Sequence, residues 1–129
     1  MKTISFDGKI LILGCGGVSQ CTIPLLLAHL KMPAERITVV DMLDNRASID
    51  EALAKGVNYV QEEITRADFP QQFARYVGRG DMIVDLSWNL HSASVTSILP
   101  SKSGIPTRIL KRSRRPSGRS TIAKWNCGE

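Results

Sequence analysis

A glycine-rich turn after a short apolar run constrains this 129-residue chain more than any other feature. Residues Lys9–Leu13 read KILIL, which has the length and the branched composition of a buried strand. The turn Gly14–Ser19 (GCGGVS) follows at once, and the segment Val18–Leu30 continues as an apolar stretch of helical character. A strand, a glycine turn and a helix in this order predict the first unit of an α/β fold.

The rest of the first 92 residues repeats the alternation of strands and helices. The predicted elements are a strand at Ile37–Asp41, a helix at Asn45–Lys55 that Gly56 ends, a weaker strand at Val57–Val60, a helix from the capping box Thr65–Asp68 to Val77, and a strand at Asp81–Leu86. Apolar strands separated by helices indicate a parallel sheet that is covered on both faces. We therefore predict an α/β fold, half of a doubly wound Rossmann-type sheet with about four strands.

The glycine turn matches the pattern G-x-G-x-x-G, with Ser19 at the third glycine position. Gly14 allows the tight turn, Gly16 lets backbone approach a pyrophosphate, and the small Ser19 lets the helix pack close to the strand. The N-terminus of the helix then offers free N–H groups and the positive end of its dipole. The turn thus predicts a dinucleotide-binding site.

The second predicted strand ends in Asp41, 22 residues after Ser19. A carboxylate at this spacing accepts hydrogen bonds from a ribose 2′-hydroxyl and repels a 2′-phosphate. Met42 and Leu43 follow it, so the sequence favours NAD over NADP, although Arg46 is close enough to keep NADP open. The alternative is an ordinary glycine turn, with Asp41 serving only as a cap or turn residue.

Ser87, Trp88 and Asn89 follow the fourth predicted strand, at the edge where open α/β sheets bind ligands. The Ser87 hydroxyl and the Asn89 amide are candidates for the nicotinamide side of a dinucleotide, and Trp88 for a wall of its pocket. The alternative is a loop with a packed tryptophan. The adjacent Glu62 and Glu63 are interpreted as two surface acids.

Other residue types exclude several classes of protein. The three cysteines, Cys15, Cys21 and Cys127, form no C-x-x-C pair, so we predict reduced thiols, no metal site and no disulfide framework. The longest apolar stretch, Ile23–Ala28, is too short for a membrane span, and the N-terminus does not resemble a signal peptide. We expect a soluble, cytoplasmic protein without a membrane partner.

Charge divides the chain into two unlike parts. Residues 1–92 contain 9 Lys and Arg against 11 Asp and Glu, whereas residues 93–129 contain 8 Lys and Arg against one acid, Glu129. We therefore assign residues 1–92 to a partial dinucleotide-binding domain. Residues 93–129 are predicted to form a basic, irregular tail rich in Ser, Arg and Pro.

Residues 8–91 resemble the N-terminal part of bacterial homospermidine synthases, in the saccharopine dehydrogenase-like group. The specific segments are Pro24–Lys31 (PLLLAHLK), Gly56–Thr65 (GVNYVQEEIT) and Asp85–Asn89 (DLSWN). The resemblance implies that NAD takes hydride from an amine carbon, that a second amine attacks the imine, and that NADH returns the hydride. It implies putrescine or a related polyamine as substrate and a larger second domain, commonly in a dimer.

The same resemblance implies roles for individual positions of this chain. The dinucleotide would be held by residues of the glycine turn and the second strand: Gly14, Gly16, Gly17, Val18, Ser19 and Asp41. Residues Ser87–Asn89 would form a cofactor or substrate edge. No amine-site residue is assigned, because the acids and tryptophans expected after Asn89 do not follow in this sequence.

Three interpretations of the tail remain open at this stage. It is an out-of-frame translation that begins near residue 92, a solvated disordered segment, or a genuine basic arm. Under the last, the cluster Lys111–Arg115 contacts nucleic acid or an acidic partner, and the chain is a small non-catalytic nucleotide-binding module. Under the first, the chain is not active alone, binds NAD weakly and self-associates through the exposed edge of its fourth strand.

Overall fold

A computed structural model of the chain describes residues 2–65, 67–87, 108–114 and 120–122. Eight strands and three helices occur in these ranges. In chain order they are β1 (Ile4–Ser5), β2 (Ile10–Leu13), α1 (Gly17–His29), β3 (Leu30–Lys31), β4 (Ile37–Asp41), α2 (Asp50–Ala54), β5 (Asn58–Gln61), α3 (Phe69–Ala74), β6 (Met82–Asp85), β7 (Arg108–Arg114) and β8 (Ser120–Ile122).

The main sheet has the strand order β5-β4-β2-β6-β7-β8. Its first five strands are parallel, and β8 pairs with β7 in the antiparallel direction. Strand β2 lies between β4 and β6, inside the group of four strands that the sequence predicts. Its Leu13 is level with Val40 of β4 on one side and with Asp85 of β6 on the other. The predicted parallel sheet of four strands with flanking helices is therefore confirmed.

The two faces of the sheet carry separate apolar cores. Ile10 and Ile12 of β2 pack on one face with Ile23 of α1, and all three are at most 1% exposed. Leu11 and Leu13 point to the other face, where the core includes Phe69 and Phe73 of α3. Because successive side chains of a strand alternate between faces, β2 is buried on both. Burial of each large side chain contributes about 1.5–3 kcal/mol.

The second helix is shorter than the predicted Asn45–Lys55. A 3₁₀ turn at Arg46–Ile49 precedes it, and α2 itself begins at Asp50. The reason is a contact from a distant strand: the hydroxyl of Tyr59 accepts a hydrogen bond from the backbone N–H of Asn45 at 3.1 Å. Gly56 ends this segment at a φ of +111°, as predicted for a helix C-cap.

The third helix keeps half of the predicted capping box. The hydroxyl of Thr65 accepts a hydrogen bond from the backbone N–H of Asp68 at 3.2 Å. The Asp68 carboxylate accepts from that same hydroxyl at 3.0 Å and does not reach back to the N–H of Thr65, which bonds to Gln72 instead. The helix ends at Ala74, three residues before the predicted Val77.

The prediction of an irregular tail is wrong for β7 and β8. Strand β7 pairs with the whole of β6, from Met82 level with Arg108 to Asp85 level with Lys111. The predicted exposed edge of the fourth strand, on which self-association was expected to depend, is therefore covered. The free backbone groups along β6 favour a pairing strand there, whereas Ile109 and Leu110 alone gave too short an apolar signal to predict one.

The strand order places a topological switch point at β2. The chain leaves β2 for β4 and β5 on one side, and then returns to β6 on the other side. The loops after β2 and β6 therefore leave the same edge of the sheet side by side. Open α/β sheets bind their ligands in the crevice that such loops form.

Candidate functional site

A cleft of about 300 Å³ opens at the carboxyl edge of the sheet. It is formed where β2, β4, β5 and β6 end and where their loops begin. The residues that line it are Leu13, Gly14, Gly16, Val40, Asp41, Met42, Leu43, Asn45, Glu62, Glu63, Ile64, Leu86 and Ser87. The lining thus includes predicted site residues from the carboxyl ends of three strands and the loops that follow them: Gly14, Gly16, Asp41 and Ser87.

Gly14 is required by the backbone itself. Its φ is +88°, a conformation that residues with a side chain rarely adopt. A Cβ at this position would lie 3.1 Å from the Cα of Ser87. The backbone N–H of Gly14 also donates to the carbonyl of Val40 at 2.8 Å, which ties the turn to β4.

The described residues give no comparable reason for a glycine at position 16 or 17. Gly16 has a φ of −86° and a ψ of −168°, which any residue can adopt. A Cβ built on either glycine meets no atom of the described residues within 4 Å. The space above these two glycines is therefore open, as a turn that lets a pyrophosphate approach its backbone requires.

The first turn of α1 adjoins this open space. No side chain of the described residues caps the helix, whose N-cap position is Gly16. Val18 is 36% exposed, whereas Ser19 is buried and its hydroxyl donates to the carbonyl of Gly14. Ser19 therefore joins the turn to the helix, the packing role of the third glycine position, and leaves the free N–H groups of α1 for an anion.

Asp41 is oriented by two backbone groups. One carboxylate oxygen accepts from the N–H of Cys15 at 2.6 Å, and the other accepts from the N–H of Leu43 at 2.8 Å. A carboxylate has about four acceptor positions, so two remain for hydroxyl donors of a ligand. Burial and the nearby Asp41 charge raise the pKa of the Cys15 thiol, which therefore stays protonated and unreactive.

Arg46, whose position near Asp41 in the sequence left NADP possible as the cofactor, is held beside the cleft by neighbouring side chains. Its guanidinium bonds to the Asp44 carboxylate at 3.0 Å and lies 5.1 Å from the centre of the Tyr59 ring. Arg46 is absent from the residues that line the cleft. Among the described residues that line the cleft, no arginine or lysine is present to balance a 2′-phosphate.

Ser87 lies directly against the glycine turn. Its N–H and its hydroxyl both donate to Oδ1 of Asp85, at 3.1 and 2.7 Å. Asp85 is itself only 6% exposed and ends β6. The other two predicted residues of this loop, Trp88 and Asn89, lie outside the described residues.

Glu62 is not the simple surface acid that its sequence position suggested. Its carboxylate accepts from the Tyr76 hydroxyl at 2.7 Å and from the Arg75 guanidinium. These two hydrogen bonds, the Tyr76 one first, hold the pKa of Glu62 below its usual value, so the group stays ionised at neutral pH. Its backbone N–H donates to the carbonyl of Asp41 at 2.9 Å.

Several residues of the cleft were not singled out from the sequence. Met42 and Leu43 are 49% and 60% exposed and, with Ile64, give the β4–β5 side of the cleft an apolar wall. The sequence did contain a sign that these three residues lie at the site, because each comes within four residues after the end of a predicted strand. Asp85 was placed in a strand, and its D-x-S spacing to Ser87 was not interpreted as a turn.

Neither a metal centre nor a membrane span occurs in the described part of the chain. There, no group of three or more His, Cys, Asp or Glu side chains could hold a metal ion. No helix in the same ranges is long and apolar enough to cross a membrane. The site is an open cleft with free space above the glycine turn, a carboxylate with unused acceptor positions and an apolar wall.

Comparison with known proteins identifies relatives of this chain. Homospermidine synthase of Blastochloris viridis is 30% identical over 63 residues, which cover 49% of this chain and 13% of the relative. The enzyme of the same name from Mesorhizobium japonicum is 33% identical over 63 residues, 48% of this chain and 12% of the relative. The chain thus spans about an eighth of the length of these curated relatives.

A solved structure shows the same fold. The crystal structure of homospermidine synthase from Legionella pneumophila in complex with NAD matches 85% of this chain and 23% of its own, with a TM-score of 0.75 at 21% identity. The resemblance stated from the sequence is therefore confirmed. Residues 10–99, more than half of the chain, match the saccharopine dehydrogenase NADP binding domain, and the chain belongs to that family.

Proposed function

We propose that this chain is an NAD-binding domain of the homospermidine synthase type. The single observation that carries the proposal is the open space above Gly16 and Gly17, beside the free first turn of α1. Neither glycine has a positive φ, and neither lies against another part of the described chain, so a ligand that needs the same space accounts for both. A pyrophosphate fits this place, because helix N–H groups and the helix dipole favour an anion there.

The order of the strands supports a position for each part of the nucleotide. A pyrophosphate at the turn after β2 has the end of β4 on one side, where Asp41 keeps two acceptor positions for ribose hydroxyls. The next strand outward is β5, and the apolar wall of Met42, Leu43 and Ile64 lies between the ends of β4 and β5. We assign the adenine ring to this wall.

We propose NAD as the cofactor, although the family that the chain matches is named for NADP binding. A 2′-phosphate would meet the Asp41 carboxylate, with Glu62 and Glu63 also in the lining of the cleft. Arg46 is occupied by Asp44 and Tyr59. This arrangement of charges supports selectivity for NAD over NADP.

For the whole protein we propose polyamine synthesis of the homospermidine synthase kind, with putrescine or a related amine as substrate. When bound, NAD supplies the acceptor for a hydride and later its donor. The contribution of the described residues is to bind and orient the dinucleotide and to keep its phosphates on the backbone of the turn.

A comparison of two glycine substitutions tests the proposal. Gly16→Ala places a methyl group in the open space at a φ that alanine accepts, so we expect an unchanged melting temperature and a loss of NAD binding of at least about tenfold. Gly78→Ala is the control, because its Cβ would meet only a carboxylate oxygen of Asp81 at 3.9 Å, away from the cleft. Calorimetric titration with NAD measures both. Equal NAD affinity of Gly16→Ala and wild type would contradict the proposal.

A further inference from the structure

We infer that the end of β7, together with β8, forms a basic ribbon that binds the phosphate backbone of duplex DNA. The basic ribbon consists of Arg112–Arg114 and Ser120–Ile122, which pair with each other in the antiparallel direction. It contains no residue of the dinucleotide cleft, so it functions whether or not the chain binds NAD. Its charge, its position in the sheet and its residue types each support this partner.

The charge of this part of the chain is positive over a long stretch. Asp85, the last residue of β6, is followed by no other acidic residue until Glu129. Strand β7 (RILKRSR) has four basic residues among its seven. A surface on which charge of one sign is concentrated attracts a partner of the opposite sign and speeds its association. The partner expected at this surface is therefore a polyanion.

The basic ribbon extends past the strand that holds β7 in the sheet. Strand β7 pairs with β6 from Arg108 to Lys111, and Lys111 is level with Asp85 at the end of β6. Among the described strands, the remaining residues Arg112–Arg114 pair with β8 alone. At about 3.3 Å per residue, these three residues extend about 10 Å past the last paired residue of β6. This part of the structure is therefore a two-stranded ribbon and not the edge of a wide sheet.

The shape of a two-stranded ribbon favours duplex DNA among the polyanions. The major groove of B-form DNA is about 12 Å wide and admits an antiparallel ribbon, whose strands lie about 4.8 Å apart. The major groove of duplex RNA is deep and narrow, so a ribbon does not enter it. An acidic protein offers no groove that a ribbon of this width would fill. Shape and charge together thus indicate the phosphates that border the major groove of DNA.

The residue types of the basic ribbon match those that contact phosphates. Arg112 and Arg114 are two positions apart and therefore belong to the same face of β7. Ser120 is level with Arg114, and Thr121 is level with Ser113. Arginine and hydroxyl residues commonly contact phosphates in protein–DNA complexes, and arginine does so with paired hydrogen bonds. The ribbon includes no aromatic residue on which the bases of a single strand would stack.

Fluorescence anisotropy of the full chain measures the binding. Labelled duplex DNA, single-stranded DNA and duplex RNA of the same mixed sequence are titrated in parallel. We expect duplex DNA to bind most tightly, with an affinity that falls as the salt concentration rises. Poly-glutamate serves as a competitor, and we expect it to displace duplex DNA only at a large excess of charge.

A double substitution in the basic ribbon is compared with a matched one elsewhere. Arg112→Gln with Arg114→Gln removes two positive charges from the ribbon. Lys55→Gln with Arg79→Gln removes two from exposed residues that precede β5 and β6, at the opposite edge of the sheet. For the ribbon variant we expect binding at least about tenfold weaker at low salt and a salt slope smaller by about 1.8, the value of two phosphate contacts. The control variant should keep the slope of wild type.

A charge-preserving variant separates lost contacts from a lost strand. Arg112→Lys with Arg114→Lys retains both charges, so we expect it to keep the salt slope of wild type. A lysine variant as weak as the glutamine variant would contradict an electrostatic contact. Equal losses in the ribbon variant and in the control variant would show that only the net charge of the chain matters.

The choice of ligand gives the remaining outcomes. Tighter binding of single-stranded DNA or of duplex RNA would contradict the fit of the ribbon to the major groove. Displacement by poly-glutamate at equal charge would assign the surface to an acidic protein instead. Absence of duplex DNA binding by wild type at low salt would overturn the inference and leave the proposed binding of NAD unaffected.

Discussion

Single residues of the glycine turn differ in what the sequence alone revealed about them. The pattern predicted a turn at Gly14 and a close approach at Gly16, and the positive φ of Gly14 and the open space at Gly16 match those two reasons separately. What the pattern could not contain is the pair of N–H groups that orient Asp41, because one of them belongs to Cys15, 26 residues away. Such contacts exist only once the sheet has formed.

We expect Asp41 to set the preference between NAD and NADP, and Asp41→Asn tests this expectation at a single side chain. The amide keeps an acceptor for the Cys15 N–H but loses the negative charge. That charge strengthens a hydrogen bond from a ribose hydroxyl and repels a 2′-phosphate. We expect NAD to bind about tenfold more weakly and NADP to bind no more weakly, so the preference for NAD narrows. Parallel titrations with NAD and NADP measure the two affinities.

Arg46→Ala is the control for this substitution. Its guanidinium is paired with Asp44 outside the cleft, so its removal should leave the ratio of the two affinities unchanged. A shift of that ratio on Arg46→Ala would mean that Arg46 reaches the cofactor after all.

At the scale of elements, the parallel strands were predicted better than the segments that connect them. Strand Ile37–Asp41 was predicted to the residue, because a run of β-branched residues between polar flanks is a local signal. The segment after it was predicted as one helix, since the contact from Tyr59 that fixes its first residues is not local. Strand β7 was missed for a related reason: its partner is the distant edge of β6, and charged residues dominate its composition.

Helix α1 offers a prediction at this scale, because its two sides differ sharply in burial. Ile23 is fully buried against the sheet, whereas Leu25, two residues on, is 58% exposed. We expect Ile23→Ala to cost about 2–5 kcal/mol in the free energy of unfolding, the usual cost of an unfilled core cavity. Leu25→Ala should change it by no more than about 0.5 kcal/mol.

Urea titration of both variants at neutral pH measures the two values. A large loss in Leu25→Ala would show that the outer side of α1 is covered in solution. Similar small losses in both variants would contradict the assignment of Ile23 to the core between α1 and the sheet.

At the scale of the whole molecule, one ionic contact joins the β5 edge to the helix layer. Glu62, just after β5, accepts hydrogen bonds from Tyr76 and Arg75, which follow α3. The sequence separation of 13 and 14 residues spans a loop and a helix, so no spacing rule connects these side chains. The contact also borders the cleft, since Glu62 lies in its lining.

This contact predicts how the fold responds to acid. The folded protein holds the pKa of Glu62 below the ordinary value of 4.5, so the stabilisation is complete above the pKa of the unfolded chain. It is lost as the pH falls through the lower pKa of the folded state, where Glu62 becomes protonated. Tyr76→Phe removes the hydrogen bond that contributes most to the lowered pKa. We expect this variant to be about 1–2 kcal/mol less stable at neutral pH, with a deficit that shrinks as Glu62 is protonated.

Tyr59→Phe distinguishes this effect from the general loss of a tyrosine hydroxyl. Tyr59 donates to the backbone carbonyl of Leu43, an acceptor that does not titrate, so its deficit should stay constant over the same range. Urea titrations at a series of pH values from neutral to about 3 give the free energy of unfolding of each variant. A constant deficit for Tyr76→Phe as well would mean that the Glu62 contact does not form in solution. A deficit that shrinks for Tyr76→Phe alone assigns the acid-sensitive part of the stability to this junction between sheet and helix.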